Sequence, residues 1–191
     1  MQHWTRKNSR GGARLRTDLE PQEAAVLRGM VSSVADMLAA RSAEAPKDEL
    51  SELTGLRTGH SSAPKDAGLA RLLPDFHRLD QAGGSDEGAG PDAAAALRSL
   101  HEPDIIDAKR AAAGVLLDTC PVGGGKVSLT LEQADAWLAT INDVRLSLGV
   151  MLDIGPHTPE ELPEEDPRAG HFGVYQWLTF VQDSLVQELL D

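Results

Sequence analysis

The chain is poor in the residues that build disulfide-linked, aromatic-rich or membrane-spanning folds. One cysteine, Cys120, occurs in 191 residues, which excludes an internal disulfide framework and a cysteine-rich metal site. Aromatic residues account for only 4% of the chain. No apolar run approaches the roughly 18 residues that cross a bilayer, and the first residues lack the apolar stretch of a secretory signal. We therefore expect a cytoplasmic protein without a membrane partner.

Basic residues are also scarce, and they are unevenly placed. The chain has 18 lysines and arginines against 30 acids, for a net charge of −12. The first 16 residues contain five bases and no acid, so the rest of the chain carries −17. These bases are Arg6, Lys7, Arg10, Arg14 and Arg16. Such an asymmetry indicates a basic segment that contacts an anionic partner or folds against its own acidic body.

The N-terminal segment is predicted to form a β-hairpin. Trp4–Lys7 and Ala13–Thr17 are short extended runs, separated by turn residues with two glycines. Val127–Leu129 is a candidate third strand. Alternation places Arg14 and Arg16 on one face of their strand. The five bases are therefore candidate contacts for DNA or an acidic partner, and the alternative is a solvated face partly paired with the acidic body.

Apolar residues at helical spacing predict four long helices, each with one apolar stripe. The predicted long helices span 21–41, 103–119, 131–148 and 171–190, and shorter ones span 48–54, 65–73 and 92–100. Thr130-Leu-Glu-Gln133 matches a capping box at the start of the third long helix. The fold class is therefore mainly α, a helical bundle with a small N-terminal antiparallel β-hairpin of two or three strands.

One domain is expected over residues 1–191. Three segments rich in proline, glycine or acidic residues are expected to be flexible, at about 42–65, 80–92 and 155–170.

No motif in the chain supports catalysis. Gly123–Ser128 contains three glycines and a lysine, but Cys120 and Val127 occupy positions that a phosphate-binding loop gives to glycine and to serine or threonine. The six histidines never pair at i, i+4, and no Gly-x-Ser-x-Gly occurs. We therefore expect no catalytic residue, no metal and no cofactor, and a protein that is not an enzyme.

Two internal residues are candidates for special roles. Cys120 follows the end of a predicted helix, where the dipole raises a thiol pKa, so a structural thiol is favoured. A redox role for Cys120 would be intermolecular or that of an oxidised monothiol. Arg145 falls within an apolar stripe and needs a carboxylate. Glu23, at the edge of the first stripe, is the predicted partner in a buried ion pair, and a polar pocket or partner site is the alternative.

Lys109 similarly lies within the apolar stripe of the helix 103–119. Its long stem allows the ammonium to reach the surface. A core salt bridge that fixes helix register is the favoured interpretation, as it is for Arg145.

Several blocks appear in an order that resembles a known family. They lie at 13–31, 69–75, 104–110, 131–149 and 177–186. The most specific is the run Trp-Leu-x-x-Ile-Asn-Asp-Val-Arg-Leu, which begins at Trp137. The chain resembles an actinobacterial family described as a domain of unknown function. Its members tend to be encoded beside the adaptor of the Clp protease, and some are described as oxidative-stress transcriptional regulators.

The resemblance implies a non-enzymatic transcriptional regulator of the oxidative-stress response. Its partner would be a sigma factor or an RNA polymerase subunit, with DNA as a further candidate. The alternative is an interaction or adaptor protein that contacts Clp components. Cys120 has no second cysteine with which to form the internal disulfide of a thiol switch. Whether the chain forms a homodimer stays open.

Overall fold

A computed structural model of the chain describes residues 1–9, 12–46, 57–75, 91–163 and 165–190. Within these ranges lie three strands and five helices. The strands are β1 (Thr5–Ser9), β2 (Gly12–Leu19) and β3 (Gly125–Leu129). The helices are α1 (Pro21–Ala43), α2 (Ala67–Leu72), α3 (Pro91–Thr119), α4 (Leu131–Met151) and α5 (Ala169–Leu190). The predicted fold class, a helical bundle with a small antiparallel β element, is confirmed.

The three strands form one antiparallel sheet in the order β1-β2-β3. Leu15 pairs with Arg6 on one side and with Leu129 on the other. At alternate positions of β2 and β3, Leu15, Leu19, Val127 and Leu129 are at most 2% exposed, and Thr17 on the same face is 7% exposed. Successive strand residues point to opposite faces, so this face joins the core and the other face meets solvent.

Helix α4 is the centre of the bundle. It contacts α1, α2, α3 and α5, and it also contacts β2 and β3. Its start is fixed by the predicted capping box, in which Gln133 N–H donates to Thr130 Oγ1 and Thr130 N–H donates to Gln133 Oε1. Trp137 and Ile141 are fully buried. A helix surrounded on most sides in this way stabilises the fold through burial of its apolar side chains.

Helix α1 buries the stripe that its sequence predicts. Its buried residues are Ala24, Leu27, Val31, Val34 and Leu38. Glu20 and Glu23 form a capping box at its start. The period of 3.6 residues determines which side of this helix faces the core.

Helix α3 corrects the prediction of two separate helices at 92–100 and 103–119. It runs without interruption through Pro103. A proline inside a helix deprives the carbonyl four residues earlier of its donor. Here that carbonyl belongs to Ser99, and it accepts a hydrogen bond of 2.7 Å from the Gly59 N–H. A donor from a distant loop thus replaces the missing helical one.

The described residues include only part of the connecting segments for which the sequence makes predictions. The short helix predicted at 48–54 lies outside the described residues, as does the 80–90 portion of the expected linker. Pro91 and Asp92, predicted to end that linker, begin α3 instead. Helix α1 continues to Ala43 and α5 begins at Ala169, inside segments expected to be flexible. The expected flexibility itself stays a prediction.

Candidate functional site

The solvent side of the sheet gathers basic side chains from all three strands. Lys7 pairs with Arg14, Arg16 pairs with Ser128, and Asp18 pairs with Lys126. Paired residues lie on the same side of a sheet, so Lys7, Arg14, Arg16 and Lys126 share one face. Three of them are exposed and Arg14 is half-buried. We call these four residues the basic sheet face.

The basic sheet face is not neutralised by the rest of the molecule. Among the described residues, none of its four cations forms an ion pair or a side-chain hydrogen bond with a carboxylate. A shallow groove of about 370 Å³ crosses the three strands, and its lining includes Lys7, Arg16 and Lys126. Asp18 is the single carboxylate among the residues that line it. An unpaired basic surface on a chain of net charge −12 is suited to bind an anionic group.

Lys126 was not predicted as part of this site. In the sequence, Lys126 lies within a weak phosphate-loop motif, far from the basic N-terminal segment, which ends at Arg16. The candidate strand at 127–129 is the sequence feature that could have identified Lys126. Extending this strand by one residue, in an antiparallel register with β2, brings Lys126 beside Asp18 and close to Arg16.

Arg6 and Arg10 stand apart from the other predicted contact residues. Arg6 N–H donates to Glu188 Oε2 at 2.7 Å, and the Arg6 guanidinium donates to the Glu188 carbonyl at 3.2 Å. Arg6 therefore binds the C-terminal end of α5, where the dipole favours a cation. Arg10 lies outside the described residues. The predicted set of five thus provides three members of the basic sheet face.

The predicted ion pair between Glu23 and Arg145 is wrong. Arg145 is half-buried and donates to Thr179 Oγ1 at 3.1 Å and to Gln182 Oε1. Its guanidinium also lies 5.2 Å from the centre of the Tyr175 ring, within range of a cation–π interaction. Glu23 instead accepts hydrogen bonds from the Glu20 N–H and from the amino group of Met1. Neutral acceptors on α5 are sufficient because Arg145 keeps access to water.

The other cation within an apolar stripe, Lys109, has a carboxylate partner. Its Nζ lies 2.6 Å from Asp143 Oδ1, which links α3 to α4. The Asp143 side chain is only 9% exposed. Burial raises the pKa of Asp143 above its ordinary value, and the hydrogen bond and charge of Lys109 oppose that rise. Of the two candidate core cations, Lys109 is the one in a near-buried salt bridge.

A second buried charge cluster is not predicted from the sequence. Glu102 is 1% exposed and binds Arg41 and Arg98, with both nearest distances at 2.8 Å. Arg98 also reaches Asp75 beyond the end of α2, and Arg41 donates to the Ser62 carbonyl. The cluster therefore joins α1, α3 and two connecting segments. Arg98 and Glu102 are four residues apart on α3, a local spacing that the sequence does show. Arg41, Ser62 and Asp75 come from distant parts of the chain, so no local pattern indicates that they join this pair.

Cys120 is a buried thiol, 2% exposed, directly after α3. Burial raises the pKa of the Cys120 thiol, while the nearby Arg28 guanidinium acts in the opposite direction. The raised pKa of Cys120 agrees with the predicted direction, but its main cause is burial and not the helix dipole. Arg28 donates to the Cys120 carbonyl at 2.6 Å, so it also stabilises the C-terminal end of α3.

Two further features concern metal binding and membranes. Within the described ranges, no three or more histidine, cysteine, aspartate or glutamate side chains are arranged to hold a metal ion. In the same ranges, none of the helices has both the length and the apolar character needed to cross a membrane.

Comparison with known proteins places the chain among relatives of similar length. A Mycobacterium tuberculosis protein named "Oxidative stress regulator AosR" is 51% identical, with the match covering 100% of this chain and 88% of that protein. A Mycobacterium bovis protein of the same name matches equally, and a Mycobacterium leprae relative is 44% identical over 100% of this chain and 89% of its own length. No solved structure matches. The family described as "Domain of unknown function (DUF2017)" matches residues 1–189, and the chain belongs to that family.

Proposed function

We propose that the protein is a non-enzymatic regulator of transcription in the response to oxidative stress. The mycobacterial relatives, at 51% identity over the whole chain, carry the name of an oxidative stress regulator. In this proposal the protein works by contact, and an anionic surface of the transcription machinery, such as a sigma factor or another RNA polymerase subunit, binds the basic sheet face.

One observation carries the contact mechanism. Four basic side chains from three strands lie together, without carboxylate partners among the described residues, on a chain whose net charge is −12. Exposed charges cost little to keep unpaired in water, but they guide and orient an oppositely charged partner. The acidic remainder of the chain repels anionic surfaces, so the attraction is confined to this face and fixes the orientation of binding.

The test reverses two charges on the face and compares them with two reversals elsewhere. Arg16→Glu/Lys126→Glu changes the basic sheet face, whereas Arg71→Glu/Arg110→Glu makes the same change in charge on exposed positions of α2 and α3. We expect the first variant to reduce retention of purified RNA polymerase holoenzyme on the immobilised protein by about tenfold or more. The second variant should retain the polymerase as the unmodified chain does.

A cellular measurement accompanies the binding assay. Peroxide-treated cells carrying Arg16→Glu/Lys126→Glu should lose the change in stress-gene transcript levels that the unmodified protein supports. Equal behaviour of both double variants in both assays would remove the basic sheet face from the mechanism. Retention of Clp protease components without polymerase would favour the adaptor alternative instead.

A further inference from the structure

The two edges of the sheet differ in how their backbone groups are satisfied. At the β1 edge, the Trp4 N–H donates to Ser184 Oγ at 2.9 Å and the Arg6 N–H donates to Glu188 Oε2 at 2.7 Å. The two N–H donors are two strand residues apart, about 7 Å, and the two acceptors are four helix residues apart, about 6 Å. One turn of α5 therefore matches the spacing of the outward N–H groups at the β1 edge. Helix α5 thus closes the β1 edge.

The same two hydrogen bonds establish which backbone groups face the opposite edge. Since Arg6 N–H points away from β2, its partner Leu15 directs its own N–H and carbonyl towards β3. Leu15 therefore exchanges hydrogen bonds with Leu129, and the alternation continues at Thr17 with Val127. The intervening residues of β3, Lys126 and Ser128, direct their N–H and carbonyl groups away from the sheet.

The β3 edge is not closed as the β1 edge is. None of the described residues donates to or accepts from the outward backbone groups of Lys126 and Ser128, and the side chains of both are exposed. A strand edge with free donors and acceptors is a template for an additional strand. Such an edge at the margin of a charged face provides both backbone hydrogen bonds and a charge preference.

We propose that β3 binds an extended acidic segment of a partner protein as a fourth strand of the sheet. This inference rests on the proposed function, because it names the kind of partner that the basic sheet face binds. Every second side chain of the added strand would lie on the solvent face beside Lys126 and Ser128, with Arg16 one strand further across that face, which favours glutamate or aspartate there. The intervening side chains would lie on the opposite, core-facing side of the sheet beside Val127 and Leu129, which favours apolar residues there.

The test uses a labelled synthetic peptide of about six residues, alternating glutamate and valine, and fluorescence anisotropy with the full chain. We expect it to bind, and a lysine–valine analogue to fail. Ser128→Pro removes an outward N–H at a position where an edge strand tolerates proline, and should weaken binding about tenfold. Ser128→Ala, the matched control, keeps that N–H and should weaken binding far less than Ser128→Pro does.

Two further measurements keep the inference testable if Ser128→Pro perturbs folding, which circular dichroism would show. A peptide N-methylated at alternate residues lacks the N–H donors that would pair with the outward carbonyls of β3, and it should bind about tenfold more weakly. Hydrogen exchange should show the Lys126 and Ser128 amides becoming protected when the unmodified peptide binds. Unchanged affinity of the methylated peptide together with unprotected amides would overturn strand addition.

Other outcomes separate this inference from the proposed function. If Arg16→Glu/Lys126→Glu abolishes polymerase retention while Ser128→Pro leaves it intact, the basic sheet face is the site but strand addition is wrong. If a short DNA duplex binds and the acidic peptide does not, the partner is nucleic acid and the inference fails. If sedimentation shows a dimer that Ser128→Pro dissociates, the occupant of the edge is a second copy of the chain, which also overturns the inference.

Discussion

At the scale of single residues, the ion pair between Lys109 and Asp143 is the contact whose energy depends most clearly on pH. Burial disfavours the charged form of Asp143, and Lys109 compensates part of that cost. Because the folded pKa of Asp143 is raised, the folded chain holds this proton more tightly than the unfolded chain does. The contribution of this group to stability is therefore present below its ordinary pKa and is lost as pH rises through the raised folded value.

Lys109→Met should make this dependence larger. Without the ammonium, the folded pKa of Asp143 rises further, and the free energy of unfolding at neutral pH should fall by about 3 kcal/mol. The loss should shrink as pH falls through the raised pKa, because the carboxyl group then becomes neutral. Urea denaturation of both proteins across this pH range measures the difference. Lys109→Met/Asp143→Leu removes both charges and should recover most of the stability; a double variant as unstable as the single one would refute this account.

For the two cations on the helix stripes, the sequence identifies the cations but not the groups that accept their hydrogen bonds. Stripe positions correctly marked Lys109 and Arg145 as cations close to the core, because burial follows the helical period. Their acceptors could not be found in this way, since Asp143, Thr179 and Gln182 lie on other helices and several residues there are plausible acceptors. The prediction that Arg145 pairs with Glu23 requires Arg145 to be fully buried. A half-buried guanidinium does not require a carboxylate.

At the scale of elements, the sequence predicts the helices with a single apolar stripe well. It does not predict that α3 continues as one helix through Pro103. The sequence of α3 contains a proline, and a proline locally predicts a helix boundary. The helix continues because Gly59, forty residues before Ser99 in the chain, donates a hydrogen bond to the Ser99 carbonyl. Contacts between distant segments of this kind are absent from any local pattern.

Gly59 is therefore expected to be sensitive to substitution. A Cβ at this position would lie 2.9 Å from Pro103 Cδ and 3.0 Å from Pro103 Cγ, closer than packed carbon atoms normally approach. Gly59→Ala should lower the free energy of unfolding by about 1–3 kcal/mol because the loop must move away from Ser99 and the proline ring. Thermal denaturation followed by circular dichroism measures the change.

Two variants control this prediction. Gly29→Ala lies in α1 with open space around the added Cβ, so it should stabilise the chain by up to about 1 kcal/mol through helix propensity. Gly59→Ala/Pro103→Ala removes the ring that the new methyl group meets and restores a helical donor to Ser99. Its stability should exceed that of Gly59→Ala alone, and an equal or lower value would mean that the clash is not the cause.

At the scale of the whole molecule, two electrostatic fields of opposite sign act on an anionic partner. The net charge of −12 repels such a partner at long range, whereas the basic sheet face attracts it over short distances. Salt screens the two unequally, because the Debye length is about 30 Å at 0.01 M, about 10 Å at 0.1 M and about 3 Å at 1 M. Screening at low salt mainly removes the long-range repulsion, and screening at high salt removes the local attraction.

The association of the alternating glutamate–valine peptide should therefore pass through a maximum as salt increases. Its association rate, measured by stopped-flow fluorescence, should rise between about 0.01 M and 0.1 M and fall towards 1 M. Arg71→Glu/Arg110→Glu increases the net negative charge without changing the basic sheet face, so it should steepen the rising part and leave the falling part unchanged. A rate that decreases steadily from the lowest salt concentration would show that the local attraction dominates at every distance. In that case the acidic body does not influence how the partner approaches.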